Sequence, residues 1–125
     1  MMYKKVVALD AVTASAESSE IGVLGAEKVS LLLTRANHGS GTSTFYVKGR
    51  LKGSSTLVNL NIIVDNVVNT NAQTLARAAS KQLGADGSAI IGLDLQYLSL
   101  EAIVVGVTEG TDGTHSAEVF IEFED

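Results

Sequence analysis

Hydrophobic and polar residues alternate along several stretches of the chain, each bounded by Gly, Asn, Asp or Ser. A period of two places apolar side chains on one face of a strand and polar side chains on the other, so each stretch is predicted to be a β-strand. The main stretches are 4–13, 27–36, 43–52, 56–65, 88–95, 98–108 and 116–124, with a brief one at 21–24. About seven or eight short strands joined by Gly-rich turns indicate an all-β protein, either an antiparallel β-sandwich or a jelly roll.

The segment after the first strand has a different composition. Residues 14–20 are rich in Ala, Ser and Glu, which suits an extended connector or an arm better than a core strand. We therefore expect residues 1–20 to form an N-terminal strand or arm with its connector, and residues 21–125 to form a single β-sandwich domain. Whether the first segment is an arm or the first strand of its own sandwich stays open.

A second segment, residues 66–83, is ambiguous in its secondary structure. Leu75, Ala78, Ala79 and Leu83 fit one face of a short helix. The same residues fit an irregular strand. The fold prediction therefore leaves room for one short helix.

The composition is apolar for a chain of this length. Of its 125 residues, 46% are hydrophobic and 18% are charged, whereas an ordinary soluble domain carries about 25% charged residues. No apolar run is long enough for a spanning helix and no signal-peptide pattern is present, so we expect synthesis in the cytosol and no membrane partner. The apolar excess instead predicts surface patches covered by partner subunits. The absence of proline, a residue that often protects sheet edges, fits edges occupied by neighbours.

The net charge argues against a nucleic-acid partner. The formal charge is −5 at pH 7, which opposes the cationic surface that phosphate binding requires. Basic residues are scattered, and Lys4 and Lys5 form the only adjacent pair.

No motif in the sequence names a reaction, a metal or a cofactor. Cysteine is absent, and residues 38–43, which contain His, Gly and Ser, lack the order of a nucleophile loop and suit a hairpin turn. His115 is interpreted as a solvated turn histidine. Glu109 and Asp112 could hold calcium, but turn chemistry accounts for them better. We therefore expect a non-enzymatic protein with no catalytic, cofactor-binding or metal-binding residues.

Candidate interface residues lie on apolar strand faces. Strict alternation places Val7 and Leu9 on one face of the first strand and Val6 and Val12 on the other, and the strand could pair with a neighbour's sheet edge. The full set of expected interface residues is Tyr3, Val6, Val7, Leu9, Val12, Leu57 and Ile63.

Three stretches carry a resemblance to a known group of proteins. KVSLLLT at 28–34, GTSTFYVKG at 41–49 and LSLEAI at 98–103 resemble small virion proteins of tailed bacteriophages, in which strand, Gly/Ser turn and strand build a β-sandwich. The resemblance implies a capsid decoration or cement protein, typically a homotrimer, that binds the major capsid protein on the capsid surface after synthesis in the host cytoplasm. It implies no catalytic residues. A tail or head-fibre component and a carbohydrate- or ligand-binding sandwich are the alternatives.

Overall fold

The computed structural model describes residues 2–37, 41–68, 73–95, 98–109 and 113–123. Along these ranges the backbone forms twelve strands and no helix, so the predicted all-β class is confirmed. No helix long and apolar enough to cross a membrane occurs there. The strands are β1 (Met2–Val12), β2 (Ala16–Glu17), β3 (Ile21–Gly22), β4 (Ala26–Ala36), β5 (Ser43–Leu51), β6 (Val58–Asn59), β7 (Ile62–Val68), β8 (Gln73–Ala78), β9 (Lys81–Leu83), β10 (Gly87–Leu93), β11 (Leu100–Glu109) and β12 (Thr114–Phe123).

The strands form two antiparallel sheets that pack as a β-sandwich. Sheet A has the order β1-β12-β4-β10-β7-β8, and sheet B has the order β2-β11-β5-β6, with β3 beside β11 and β9 beside β5. The expected count of seven or eight strands is too low. Four of the strands, β2, β3, β6 and β9, are only two or three residues long. The strands β3 and β6 lie within the predicted stretches 21–24 and 56–65, whereas β2 and β9 are too short for an alternating pattern to show.

Alternate residues of the long strands form the core between the sheets. In β4, Val29, Leu31 and Leu33 are buried, while the residues between them face outward because successive side chains of a strand point to opposite faces. In sheet B, Val47 of β5 lies opposite Val105 of β11, and both are fully buried. The predicted inward-facing residues of these strands therefore meet in one apolar layer.

Strand β1 departs from simple alternation. Its register with β12 shifts twice, between Val7 and Leu9 and again between Leu9 and Val12. Each bulge adds a residue, which changes the face of every side chain beyond it. Ala11 has a φ of 49° at the second shift, and its N–H donates to the Ser116 hydroxyl over 2.9 Å.

The prediction that Val7 and Leu9 share a face is therefore wrong. Leu9 lies opposite Ala117, a buried inward position, whereas Val7 lies opposite Glu118 on the outer face. Val6 and Val12 also occupy inward positions, opposite Val119 and His115. The bulges replace the spacing of two with a spacing of three.

The connector at residues 14–20 forms part of the edge of sheet B. Glu17 of β2 pairs with Gly106 of β11. Beyond β2, Ser18 donates its N–H to the Val105 carbonyl over 2.8 Å, and its hydroxyl accepts the Val105 N–H over 3.0 Å. The first twenty residues thus contribute one strand to each sheet.

The ambiguous segment at residues 66–83 is extended rather than helical in its described part. Strand β7 pairs antiparallel with β8 from Ile62 opposite Ala78 to Val68 opposite Gln73, and β9 pairs with β5. Residues 69–72 lie outside the described ranges. A short helix is marginal on its own, whereas β7 and β5 offer this backbone hydrogen-bonding partners.

Two adjacent isoleucines of β10 provide a matched test of this packing. Ile91 is 2% exposed and Ile90 is 74% exposed. We expect Ile91→Ala to lower the free energy of unfolding by about 2–5 kcal/mol because it leaves a cavity in the core. Ile90→Ala should change it by less than about 1 kcal/mol. Urea unfolding measures both, and equal losses would contradict the assignment of the two faces.

Candidate interaction surface

The expected interface residues of β1 separate into buried and exposed groups. Leu9 is 3% exposed and belongs to the core, and Val6 and Val12 are half-buried against it. Tyr3 and Val7 are 71% and 54% exposed and lie on the outer face of sheet A. Only these last two present most of their side chain at the surface.

The remaining two expected residues lie on different parts of the sandwich. Ile63 is half-buried on β7, and its register opposite Gly92 of β10 places it on the outer face of sheet A. It shares this face with Tyr3 and Val7 but lies four strands away from β1. Leu57 directly precedes β6 of sheet B in the chain.

The outer face of sheet A carries further apolar side chains that line up across the strands. Val7 lies opposite Glu118, Glu118 opposite Leu32, and Leu32 opposite Ile90. In the next row, Phe120 is 42% exposed. We call the apolar residues of this face, Tyr3, Val7, Leu32, Ile63, Ile90 and Phe120, the sheet A surface. Large apolar side chains exposed together on one face of a sheet are candidates for an interaction site.

Sequence reasoning missed three members of the sheet A surface, Leu32, Phe120 and Ile90, and a signal was available for the last two. Phe120 stands between Glu118 and Glu122 on the outward face of β12, so an aromatic residue on an otherwise acidic face was the available signal. Ile90 adjoins buried Ile91. Two consecutive isoleucines in one strand cannot both face the core, which was the corresponding signal there.

Charged residues lie among the members of the sheet A surface on β1, β12 and β4. Lys5 lies 3.2 Å from Glu118, and Lys28 lies 4.0 Å from Glu122, measured between Nζ and the carboxylate oxygens. A groove of about 380 Å³ opens here. Its lining combines aromatic, cationic and acidic side chains: Tyr3, Lys4, Lys5, Lys28, Ser30, Phe120, Ile121 and Glu122.

A second apolar surface lies on sheet B, where β5 ends. Leu51 and Val58 are 51% and 58% exposed, and Leu98 is 41% exposed. They line a groove of about 300 Å³ together with Leu60 and Leu100. We call these five residues the end groove. Leu57 directly precedes Val58 in the chain.

The outer face of sheet B carries a polar network. The Tyr46 hydroxyl donates to Glu17 over 2.6 Å, and the Lys48 ammonium lies 2.8 Å from the same carboxylate. Arg50 pairs with Glu20 over 2.9 Å and also with Glu101. These long side chains lie over the outward positions of β11, so this part of sheet B presents polar groups.

Gly106 provides the space for the Tyr46 ring. The two residues are cross-strand partners, and a Cβ atom on residue 106 would lie 2.3 Å from Cζ of Tyr46. An aromatic ring that covers a cross-strand glycine shields exposed backbone. The glycine therefore fixes the position of the tyrosine hydroxyl above Glu17.

The network shifts the pKa values of its two acidic groups in opposite directions. Hydrogen bonds from Lys48 and then Tyr46 lower the pKa of Glu17. Burial, followed by the hydrogen bond to Glu17 and its charge, raises the pKa of Tyr46 to about 12. The stabilisation linked to Tyr46 is thus present below a pH of about 10 and is lost as the pH rises through about 12.

Ser43 and His115 form the one pair in the described ranges that resembles a catalytic dyad. The Ser43 Oγ and His115 Nε2 atoms are 2.6 Å apart. Both side chains are fully buried, and the Phe45 ring packs edge-on to the imidazole at 6.0 Å. The pair has no access to a substrate, and because β5 and β12 belong to different sheets, its hydrogen bond ties sheet A to sheet B.

The interpretation of His115 as a solvated turn residue is therefore wrong. His115 lies between Val12 of β1 and Arg35 of β4 in register. Arg35 is itself 2% exposed and donates to the Leu83 carbonyl. A buried polar cluster, which the sequence pattern could not reveal, thus closes this end of the sandwich.

The candidate loops for other chemistry fall largely outside the described ranges. Residues 38–40 of the proposed turn and Asp112 of the possible calcium site are among the residues that the structure leaves undescribed. Within the described ranges, His, Asp and Glu side chains form no group of three or more that could hold a metal ion.

The Tyr46 pKa can be tested in a background where Tyr3 and Tyr97 are replaced by Phe. Glu17→Gln should lower the Tyr46 pKa below about 12 but leave it above 10, because burial remains. Gly106→Ala should lower it as well, since the ring must move. Ultraviolet titration at high pH measures the change. The control Glu20→Gln, which alters only the Arg50 pair, should leave the value unchanged, and a similar drop there would contradict the assignment.

Comparison with known proteins shows the fold of the chain. No protein-family model matches the sequence, and no curated protein matches it. Among solved structures, the SPBc2 prophage-derived protein YomS is similar over 96% of this chain and 92% of its own, with a TM-score of 0.65 and 10% sequence identity. The VP2 subviral particle of infectious bursal disease virus is matched over 99% of this chain and 42% of its own, with a TM-score of 0.34 and 12% identity. The likeness to YomS shows that the two chains share a β-sandwich fold.

Proposed function

We propose that the chain is a non-enzymatic structural protein of a virion, which decorates the capsid shell as a homo-oligomer, most simply a trimer. The observation that carries this proposal is the presence of two separate apolar surfaces on one small sandwich. Residues such as Ile90, 74% exposed, and Val58, 58% exposed, are costly to leave in water. The fold of a prophage-derived protein supports the same proposal.

The two surfaces suit two different contacts. A decoration protein contacts its own copies and the shell, and these contacts must not compete for the same residues. The end groove on sheet B is the proposed contact between copies, and Leu57 lies at its border. The sheet A surface is the proposed contact with the major capsid protein, and it contains Tyr3, Val7 and Ile63.

Binding of this kind would stabilise the shell without chemistry. A protein that binds the assembled state and not its separated subunits favours assembly by mass action. The buried Ser43–His115 hydrogen bond suits this role, because it links the two sheets of the sandwich. The proposed location is the outer surface of the virion, after synthesis in the host cytoplasm, with neither nucleic acid nor membrane as partner.

The groove beside β1 supports one alternative function, recognition of a ligand such as a carbohydrate. Tyr3 and Phe120 could stack on a sugar ring, and lysines and Glu122 could form its hydrogen bonds. Specific signals on a glycan array, lost in Tyr3→Ala, would favour that alternative. Sedimentation with tails or fibres instead of shells would favour a tail or head-fibre component.

The proposal predicts that two surface substitutions separate assembly from shell binding. Light scattering of the wild-type protein should give a multiple of 13.0 kDa. Val58→Asp should yield monomers, because it places a charge in the end groove. Phe120→Asp should keep the oligomer but weaken co-sedimentation with purified capsid shells about tenfold or more. A wild-type monomer at all concentrations, or shell binding unaffected by Phe120→Asp, would contradict the proposal.

A further inference from the structure

Strand β1 is the longest edge strand of the sandwich. It lies at one end of sheet A with β12 on one side, and no described strand pairs with its other side. The opposite edge strand, β8, has six residues, and β2 and β6 at the edges of sheet B have two each. An unpaired edge presents backbone N–H and C=O groups that another strand can use.

The two halves of β1 differ in how accessible their unpaired backbone edge is to another strand. Both register shifts lie beyond Val7, and bulges protect an edge because they twist it away from a partner. From Met2 to Val7 the pairing with β12 is continuous. The regular half therefore remains a suitable template, and Met2, Tyr3 and Val7 leave more than half of their side chains exposed on it.

Lys4 and Lys5 determine which partner strands can pair with the edge of β1. Lysines on an edge oppose pairing with a second copy, because antiparallel pairing about a two-fold axis would bring the lysines of both copies together. The same charges favour a strand that carries carboxylates. The chain itself shows this preference on the other side of β1, where Lys5 pairs with Glu118 of β12 at 3.2 Å.

We propose that the β1 edge, residues 2–7, binds an extended acidic segment of the major capsid protein and so extends sheet A by one strand. This inference rests on the function proposed above. Successive side chains of a strand point to opposite faces, so two adjacent lysines call for two adjacent carboxylates on the partner. Apolar residues beside the carboxylates would enter the groove between Tyr3 and Phe120.

Synthetic peptides test the edge without any shell. The probe is a blocked ten-residue peptide of alternating Val and Thr around a central Glu–Glu pair, and its matched control carries Lys–Lys at the same place. We expect the acidic peptide to bind at least ten times more tightly by fluorescence anisotropy, less tightly in high salt, and to shift the amide NMR signals of residues 2–7.

A charge-reversal variant makes the test specific. Lys4→Glu/Lys5→Glu should invert the preference, so that the Lys–Lys peptide binds more tightly than the Glu–Glu peptide. The control variant Lys52→Glu/Lys81→Glu changes the net charge equally at a distance from β1 and should keep the wild-type preference. Equal binding of both peptides, or NMR shifts centred on β8, would overturn the inference.

Shell binding separates failure of this inference from failure of the proposed function. Loss of co-sedimentation in Lys4→Glu/Lys5→Glu, with the oligomer retained, supports the inference. Undiminished co-sedimentation of that variant overturns the inference and leaves the proposed function intact. Wild-type protein that does not sediment with shells overturns the proposed function, while the peptides still decide what the edge recognises. A change of oligomeric state in the variant would identify a second copy as the occupant and overturn the inference.

Discussion

The burial of two inner sheet faces against each other is the constraint on which the whole structure depends. Sheets in a sandwich pack about 10 Å apart through interdigitating side chains, and here Leu31 of sheet A and Val105 of sheet B belong to one continuous core. Each long strand therefore places apolar side chains at its inward positions, where they form that core layer. The side chains at the outward positions determine which contacts the two outer faces can make.

The two outer faces use these positions differently. On sheet B, hydrogen bonds and ion pairs centred on Tyr46 and Arg50 cover small residues of β11, so most of that face is satisfied within the chain. On sheet A, Ile90 and Phe120 occupy outward positions, and ion pairs lie at its β1 side and, between Arg77 and Asp94, beside Ile63. Burial of the sheet A surface by a partner would remove apolar area from water, whereas the polar network of sheet B would first have to be broken.

Most of the fold was predictable from the alternation of apolar and polar residues. Each long strand buries one face and exposes the other, and its ends lie next to turn residues. Strand β4 (Ala26–Ala36) differs from the prediction of 27–36 by one residue. Alternation indicated a brief strand at 21–24, where β3 lies, but could not reveal β2, which is defined by its pairing with β11. Nor could it locate the bulges in β1 or the burial of His115, since both depend on residues distant in sequence. Leu9, one of the expected interface residues, lies in the core because the first bulge changes the face of the residues beyond Val7.

The bulges of β1 have a consequence for how such a chain can change over time. Beyond Val7 the strand contributes Leu9 to the core, and before that point Tyr3 and Val7 leave more than half of their side chains exposed. Substitutions at these exposed positions should therefore have small effects on folding, whereas a substitution at Leu9 removes core packing. One strand thus combines exposed positions on which the fold places little constraint with a buried position that the core requires. Under the function proposed above, the first half of β1 can change its partner without a loss of stability.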